Sequence, residues 1–518
     1  MRNMLLASAA ILGGTIALAH AQPVANPSQG QMAAPYGSGP AANNNNNAWG
    51  IANTPSGSAA AGVLSSEYAP NVIAVPAPGT VVIRLNGRAE ADFNYTASNL
   101  NTGIIGTATG GKPNGFKINP VGIGTNFRLY PGMDGLSTNG IRYGAAAEIR
   151  ENFASDTSNG IVGSTTGTAV SGSANSSAET LFLRRAFTYL ASDNLGLVRL
   201  GQGDGVIGLL DNCIFTSQCW DAGIGGIDAG ANQQTLPSGA APTWVWLSQV
   251  GAEYANSKIV YLTPQIYGFD FAAQYAPSEG NAFAEQSTGT PIQATVCNAA
   301  GPLCTSATSG GDATRWYNQF VFGARYQHNF GAVDFKTYGV YGTANKEDLT
   351  TTSYVSPAAA RAAFASNGTN DTQFLHYDNL GYYKAGVAIT ALNTTFAADY
   401  IGGRINGQLA EDPSGGAQMN AVLTGLTYIK GAITLGVTAG VIDSQGDARL
   451  VGVSQRHEFE TAFGGNYKIA PGIQLVAEYQ FGTRHQAGFD FNTGTLGVNG
   501  TTRDSVYQGV SFDTVVTW

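Results

Sequence analysis

Between Ile83 and Tyr95 the chain alternates without a break. Ile83, Leu85, Gly87, Ala89, Ala91, Phe93 and Tyr95 are apolar or small, while Arg84, Asn86, Arg88, Glu90, Asp92 and Asn94 are polar or charged. A period of two predicts a strand with one apolar and one strongly polar face. The pattern recurs. Val333, Phe335 and Thr337 alternate with Asp334, Lys336 and Tyr338; Ile433, Leu435, Val437, Ala439 and Val441 alternate with Thr434, Gly436, Thr438 and Gly440. Ile473, Leu475, Ala477, Tyr479 and Phe481 alternate with Gln474, Val476, Glu478, Gln480 and Gly482. Sixteen such segments are predicted, over 81–95, 120–131, 140–153, 179–191, 195–205, 250–263, 267–276, 314–329, 332–343, 377–390, 392–402, 417–430, 432–443, 455–468, 472–484 and 504–518.

The connections alternate in length. Short ones lie at 192–194, 264–266, Gly331, Ala391, Gly431 and 470–472; long ones lie at 96–119, 154–178, 206–249, 277–313, 344–376 and 485–503. Short turns on one side, long loops on the other and an even strand number are the plan of an outer-membrane barrel. In a soluble sandwich the polar face would meet bulk water. In a transmembrane barrel it lines the lumen, and closure removes the unpaired edges that lipid does not tolerate. The expected fold is therefore all-β: a sixteen-stranded antiparallel transmembrane β-barrel over residues 81–518. Its last strand carries Val510, Phe512, Thr514, Val516 and Trp518 on one face and Ser511 and Asp513 on the other. A terminal Trp suits an aromatic girdle at the membrane rim.

Composition narrows the choice. Of 518 residues only 11% are charged, against an average of ~25% for soluble domains. Glycine numbers 69 and aromatics make up 10%, too many rings for a disordered chain. Membrane helices would need several apolar runs of ~20 residues, and the sole candidate run sits at the start. The net charge of −9 with no basic stripe argues against nucleic acid as a partner.

That first apolar run, Met4 to Leu18, follows Arg2 and ends in Ala19-His20-Ala21, which predicts a cleaved signal peptide over 1–21. Residues 22–80 contain an Asn run from 43 to 47, much Ala, Gly and Pro, and a single charge, Glu67. Such a segment buries too little apolar surface to offset the entropy of ordering, so a flexible periplasmic lead is expected.

Six arginines, Arg84, Arg88, Arg128, Arg142, Arg150 and Arg184, share the polar parity of the first four predicted strands. Facing lipid at the midplane, each would cost ~2–4 kcal/mol, so they must face water, an acidic partner or a subunit interface. Arg185 falls on the opposite, lipid-side parity. The cysteines form two local pairs, Cys213 with Cys219 and Cys297 with Cys304, and in an exported protein each is a disulfide candidate. Chemistry is not indicated. The histidines lack metal-ligand spacing, no G-x-S-x-G occurs, and 201–205 is Gly-rich without a phosphate-loop Lys. No enzyme activity, cofactor or metal is expected. The Gly- and Ala-rich stretch Gly144 to Ala147 is expected to face outward and to pack barrel against barrel.

Four stretches resemble the Gram-negative general (diffusion) porins: Leu85-Asn86-Gly87-Arg88-Ala89; Arg184 to Leu190 followed by Leu197 to Gly201; Asn256 to Tyr261 with Tyr267 to Tyr275; and the aromatic C-terminus, here Trp where the family usually has Phe. The resemblance covers roughly residues 81–518. It implies a homotrimer in the cell outer membrane, with short periplasmic turns, long extracellular loops and a third loop folded into the barrel. It implies passive diffusion of small hydrophilic solutes and ions; a substrate-selective channel (for a sugar or an anion) or an envelope-anchoring barrel on the same fold are the alternatives. It implies a constriction where basic wall residues oppose an acidic loop. The region 206–249 supplies that loop, with acidic candidates Asp211, Asp221 and Asp228 and, just before it, Asp204. Arg88, Arg128 and Arg184 match the family's basic cluster, and Lys258 is a further wall candidate. Ala255 stands where many relatives carry another basic residue. Lipopolysaccharide and outer-membrane lipid are implied partners. So is the barrel-assembly machinery, which would read a C-terminal signal containing Phe512, Val516 and Trp518.

Overall fold

The computed structural model describes residues 78–100, 102–104, 115–117, 120–151, 181–192, 195–203, 205–210, 257–278, 316–346, 354–367, 375–406, 411–470, 472–492 and 495–518. The expected signal peptide, most of the lead before the first strand, the acidic loop candidates Asp204, Asp211, Asp221 and Asp228, and all four cysteines lie outside them.

Among the described residues sixteen antiparallel strands close into one barrel. In chain order they are β1 (Thr80–Ser98), β2 (Val121–Leu136), β3 (Arg142–Glu151), β4 (Leu181–Ser192), β5 (Gly196–Gln202), β6 (Ser257–Leu262), β7 (Phe269–Ser278) and β8 (Trp316–Asn329). They continue as β9 (Val333–Lys346), β10 (Leu380–Ala391), β11 (Thr394–Arg404), β12 (Met419–Lys430), β13 (Ile433–Ser444), β14 (Arg456–Ala470), β15 (Ile473–His485) and β16 (Ser505–Thr517). Each pairs with its neighbour in sequence, and β1 closes the ring on β16 with Asp92 opposite Asp513 and Phe93 opposite Phe512. Every strand coincides with one predicted by alternation; the part of the sixth predicted strand before Ser257 lies outside the described residues.

The barrel is inside out. Ile83 is 83% exposed, Ile123 74% and Phe463 55%, while Glu90, Asp92, Gln480 and Asp513 on the opposite parity are buried. Only lipid makes that arrangement favourable, because an apolar outer band costs nothing against acyl chains and much against water. Among the described residues no helix is long and apolar enough to cross a membrane.

One end of the barrel carries the tight turns. The β10–β11 turn consists of Leu392 and Asn393, both at positive φ (51° and 65°), with the strands running on to Ala391 and from Thr394. Alternation alone predicts this turn at Ala391. A two-residue hairpin needs left-handed backbone at both positions, which Asn accepts readily and Leu adopts here at a fully solvated tip.

Two further expectations are corrected. In β3 the outward positions are Ala145 and Ala147; Gly144 and Ala146 are buried on the inner face. Gly144 lies under the Tyr189 ring, whose hydroxyl donates to Asp134 Oδ1 at 2.7 Å. In β4 a bulge interrupts the register, since Glu148 faces Arg185 and Ile149 faces Leu183. The extra residue shifts the parity. Leu183 before it points outward, yet Phe187, Tyr189 and Ala191 after it are buried inside. Counting from Leu183 puts Arg184 at an inward register position, and counting back from Phe187 puts Arg185 at one too. Strict alternation across the bulge had assigned Arg185 to the lipid side.

Candidate functional site

The inner wall is not uniformly polar. Val260 on β6, Ala272 and Ala276 on β7, Val321 on β8, and Val340 and Ala344 on β9 occupy inner positions and are buried together. What covers them is the start of the third long connection. Directly after β5, residues Val206–Leu210 form a short helix, α1, whose Val206, Ile207, Leu209 and Leu210 are all at most 2% exposed. A Cβ on Gly323 of β8 would press on Leu210 Cδ1 at 2.5 Å and Val206 Cγ1 at 2.7 Å, so a glycine there makes the seat.

Polar groups fix the helix in register on this pad. Gln274 Oε1 accepts the Val206 N–H at 2.9 Å, and its Nε2 donates to Gln319 Oε1 at 2.9 Å. Arg325 pairs with Asp270 through Nε (3.1 Å) and Nη2 (2.9 Å), and its Nη1 donates to the Leu209 carbonyl at 3.4 Å. Both partners are wholly inside, at 2% and 0% side-chain exposure. Lys258 Nζ donates to the Gly203 carbonyl at 2.8 Å and is 3% exposed. The candidate wall lysine thus holds the root of the loop. None of Gln274, Asp270 or Arg325 was singled out from the sequence. The available signal was a run of apolar residues on lumen parity in β6–β9, where alternation leads one to expect polar ones.

Buried charges line the whole ring; Asp270 and Asp399 stand among the cations on one half, and Arg456 and Arg484 among the carboxylates on the other. Arg199 of β5, Lys258 of β6, Arg325 of β8, Lys336 of β9 and Lys384 of β10 are inner cations on one half of the wall. Arg199 stacks on Phe187 (4.7 Å to the ring centroid) and Lys384 lies over Tyr338 (5.7 Å). The facing strands β14, β15, β16 and β1 carry Glu460, Glu478, Asp513, Glu90 and Asp92, all buried on the inner face. Beside that acidic arc, the register brings Arg88 opposite Arg128 and Arg128 opposite Arg150, one row across β1, β2 and β3. Arg84 faces Gly132 and Arg142 faces Leu136 and Ala191, so these two stand in other rows. Arg142 is buried on the inner face at the short-turn end.

At the opposite mouth two loops are tied together. Asp378 N–H donates to the Asp412 carbonyl at 2.9 Å, Ser414 N–H to the His376 carbonyl at 2.8 Å, and Ser414 Oγ to Asp378 Oδ1 at 2.8 Å. Burial, with the Asp378 charge adding to it and Arg404 opposing, raises the Asp412 carboxyl to about 7. A carboxyl that binds its proton more tightly in the folded loop stabilises that loop below the ordinary carboxylate range, and the contribution is lost as pH rises toward about 7. Amide exchange at Asp378 is therefore expected to accelerate from pH 5 to 8 beyond the intrinsic base catalysis. Asp412→Asn is expected to remove the excess; an identical profile in the variant would refute the coupling.

A family model described as Gram-negative porin matches residues 48–488. No curated protein matches the sequence. Among solved structures, OmpT of Vibrio cholerae in its trimer form is similar at 12% identity and a TM-score of 0.45, covering 85% of this chain and all of that one. An anion-selective porin from Comamonas acidovorans is similar at 14% identity and a TM-score of 0.42, covering 85% and 100%. The outer membrane channel DcaP of Acinetobacter baumannii is similar at 12% identity and a TM-score of 0.44, covering 86% and 99%.

Proposed function

The chain belongs to the Gram-negative porin family and is an outer-membrane channel, and we propose that it passes small hydrophilic solutes and ions by passive diffusion through a constriction set by its third loop. The observation that carries this reading is α1, seated on an apolar pad of the inner wall and tied there by Gln274, Arg325 and Lys258. A loop rooted inside the barrel narrows the hole; charges around the hole then sort what enters it. Single-channel recording in a planar bilayer tests this. Stepwise openings linear in salt are expected. A small, saturable conductance blocked by one solute would replace the diffusion pore with a substrate-selective channel.

Selectivity is assigned to the basic wall, Arg84, Arg88, Arg128, Arg142, Arg150 and Arg184, acting against Asp204, Asp211, Asp221 and Asp228 of the loop. The row Arg88–Arg128–Arg150 supports this, because three like charges on adjacent strands make a field no single arginine could. Arg128→Ala combined with Arg184→Ala is expected to shift the reversal potential in a salt gradient toward cations. An unchanged potential would remove the cluster from the mechanism.

The same reading includes a homotrimer. Its support is an apolar outward hollow whose lining includes Pro131, Met133, Ala145, Ala147, Thr188 and Leu200, a recess that a neighbouring barrel's side chains can enter. Openings grouped in threes and a cross-linked trimer in mild detergent are the expected results. It further includes export by a signal peptide over 1–21, a periplasmic lead over 22–80, loop-stiffening disulfides Cys213–Cys219 and Cys297–Cys304, contact with lipopolysaccharide, and delivery to the barrel-assembly machinery through the strand ending in Phe512, Val516 and Trp518.

A further inference from the structure

The outward face of β13 to β16 has a pit in it. Leu435, Gly465, Ala477 and Phe512 stand in one register row across these four strands, and the middle two are small. One rung toward the long-loop end, Phe463 and Tyr479 meet with ring centroids 5.0 Å apart. One rung toward the short turns, Tyr467 stands opposite Leu475. Large side chains thus bound a small-residue floor, and the apolar hollow between them measures about 920 Å³. That lies within the ~300–1,000 Å³ of ordinary ligand sites. The floor cannot be filled from Gly465, where a Cβ would sit 2.2 Å from the Thr434 carbonyl oxygen. An unfilled hollow forfeits dispersion contacts along its lining, so an apolar occupant gains them. Charge says which occupant. Lys430, exposed at the end of β12, pairs in register with Ile433, which lines the hollow and itself pairs with Tyr467. Tyr428 and Tyr467 are exposed outward near the same end. Tyrosines and a lysine together mark the level of lipid headgroups, where the ammonium meets phosphate. The Gly465–Ala477 rung lies two residues deeper than Ile433, at about 7 Å, on the path of an acyl chain hanging from that level.

We propose that β13 to β16 hold one phospholipid as a resident ligand, its phosphate on Lys430 and one acyl chain in the pit over Gly465 and Ala477. The short turns of such barrels face the periplasm, so the lipid comes from the periplasmic leaflet. Both halves of the ligand are needed for the fit. The pit without the lysine would take any chain that drifts past, and the lysine without the pit would hold a headgroup only loosely, since single exposed charges contribute little. The competing occupant is a side chain of a second barrel, which would fill the pit and leave Lys430 unused.

The test uses the full chain folded into detergent free of lipid and titrated with dioleoylphosphatidylglycerol, with bound lipid counted by native mass spectrometry. One lipid per chain is expected to saturate at concentrations where further lipids are still stripped off. Ala477→Leu fills the pit from an exposed position and is expected to weaken that binding about tenfold, the loss of roughly two methylene contacts. Lys430→Gln is expected to weaken it about fivefold. Dioleoylglycerol, with the same chains and no phosphate, should bind the parent more weakly and be indifferent to Lys430→Gln. Ala385→Leu, at an exposed outward position of β10 away from the pit, should bind as the parent does. If Ala477→Leu fails to fold, Thr514→Leu narrows the pit from β16 and serves in its place. The proposal is overturned if the parent retains no saturable lipid, or if the pit variant binds as Ala385→Leu does. It is equally overturned if the pit variant dissociates an oligomer while lipid binding stays unchanged, which would give the pit to a second barrel.

Discussion

Replacing Arg325 by Met raises single-channel conductance and lowers the unfolding temperature of the barrel, and these two effects separate on adding Asp270→Leu. Arg325 does two things at once. It neutralises Asp270, with which it shares a buried ion pair, and it donates to the Leu209 carbonyl at the end of α1. Removing one partner of a buried pair strands the other charge at a cost of about 3–5 kcal/mol; Lys336, also close enough to act on Asp270, places the expected cost at the lower end. The double variant removes the stranded carboxylate and replaces a buried pair by apolar groups, which is often neutral or stabilising. Stability should therefore return. Conductance should not, because the Leu209 carbonyl still lacks its donor and α1 keeps one fewer tie to the wall. Bilayer recordings and thermal unfolding of the single and double variants decide the matter. A double variant that recovers both stability and parental conductance would mean the loop is held by its apolar seat alone.

This prediction rests on residues the sequence did not announce. The alternation from Ile83 to Tyr95 and its recurrences were enough to locate all sixteen strands, because lipid on one face and water on the other leave little freedom in a period of two. The same reasoning failed where one extra residue slipped in. The bulge at Arg184–Arg185 moves the parity of β4 while the residues on either side still alternate, so no local pattern reveals it. Site residues were legible to the extent that they are anomalous. An arginine in a membrane strand demands an explanation, whereas Val260, Val321 and Val340 look ordinary in a strand and become informative only once their faces are known to point inward. Glu90 and Asp513 are the extreme case. They are 423 positions apart, and nothing in either strand signals that closure of the ring brings their carboxylates together.

The closure itself sets the second large effect. Gly87→Val is expected to reduce the yield of folded barrel sharply, and Trp518→Ala in the same chain to restore part of it. Gly87 and Trp518 are joined by a pair of backbone bonds, N–H to carbonyl at 3.1 Å in each direction, which are the last rung of the β1–β16 seam. The Trp518 ring lies over Gly87 and within 5.7 Å of the Phe127 ring centroid. A Cβ on Gly87 would fall inside the indole, so any larger residue must evict the ring or open the rung. Overpacking of this kind costs about 1–3 kcal/mol, and a lost backbone rung adds about 1 kcal/mol for each bond. The penalty falls on the one pairing in the ring made between the two ends of the barrel sequence. Trp518→Ala alone loses ring contact with Phe127 but keeps the backbone rung, so it should be milder than Gly87→Val. In the double variant the valine fills the space the indole vacates, and the two effects should be less than additive, as contacting residues are. Folded and unfolded bands on an unheated gel give the yields. Strict additivity would show that the glycine is required for its backbone and not for the ring it carries.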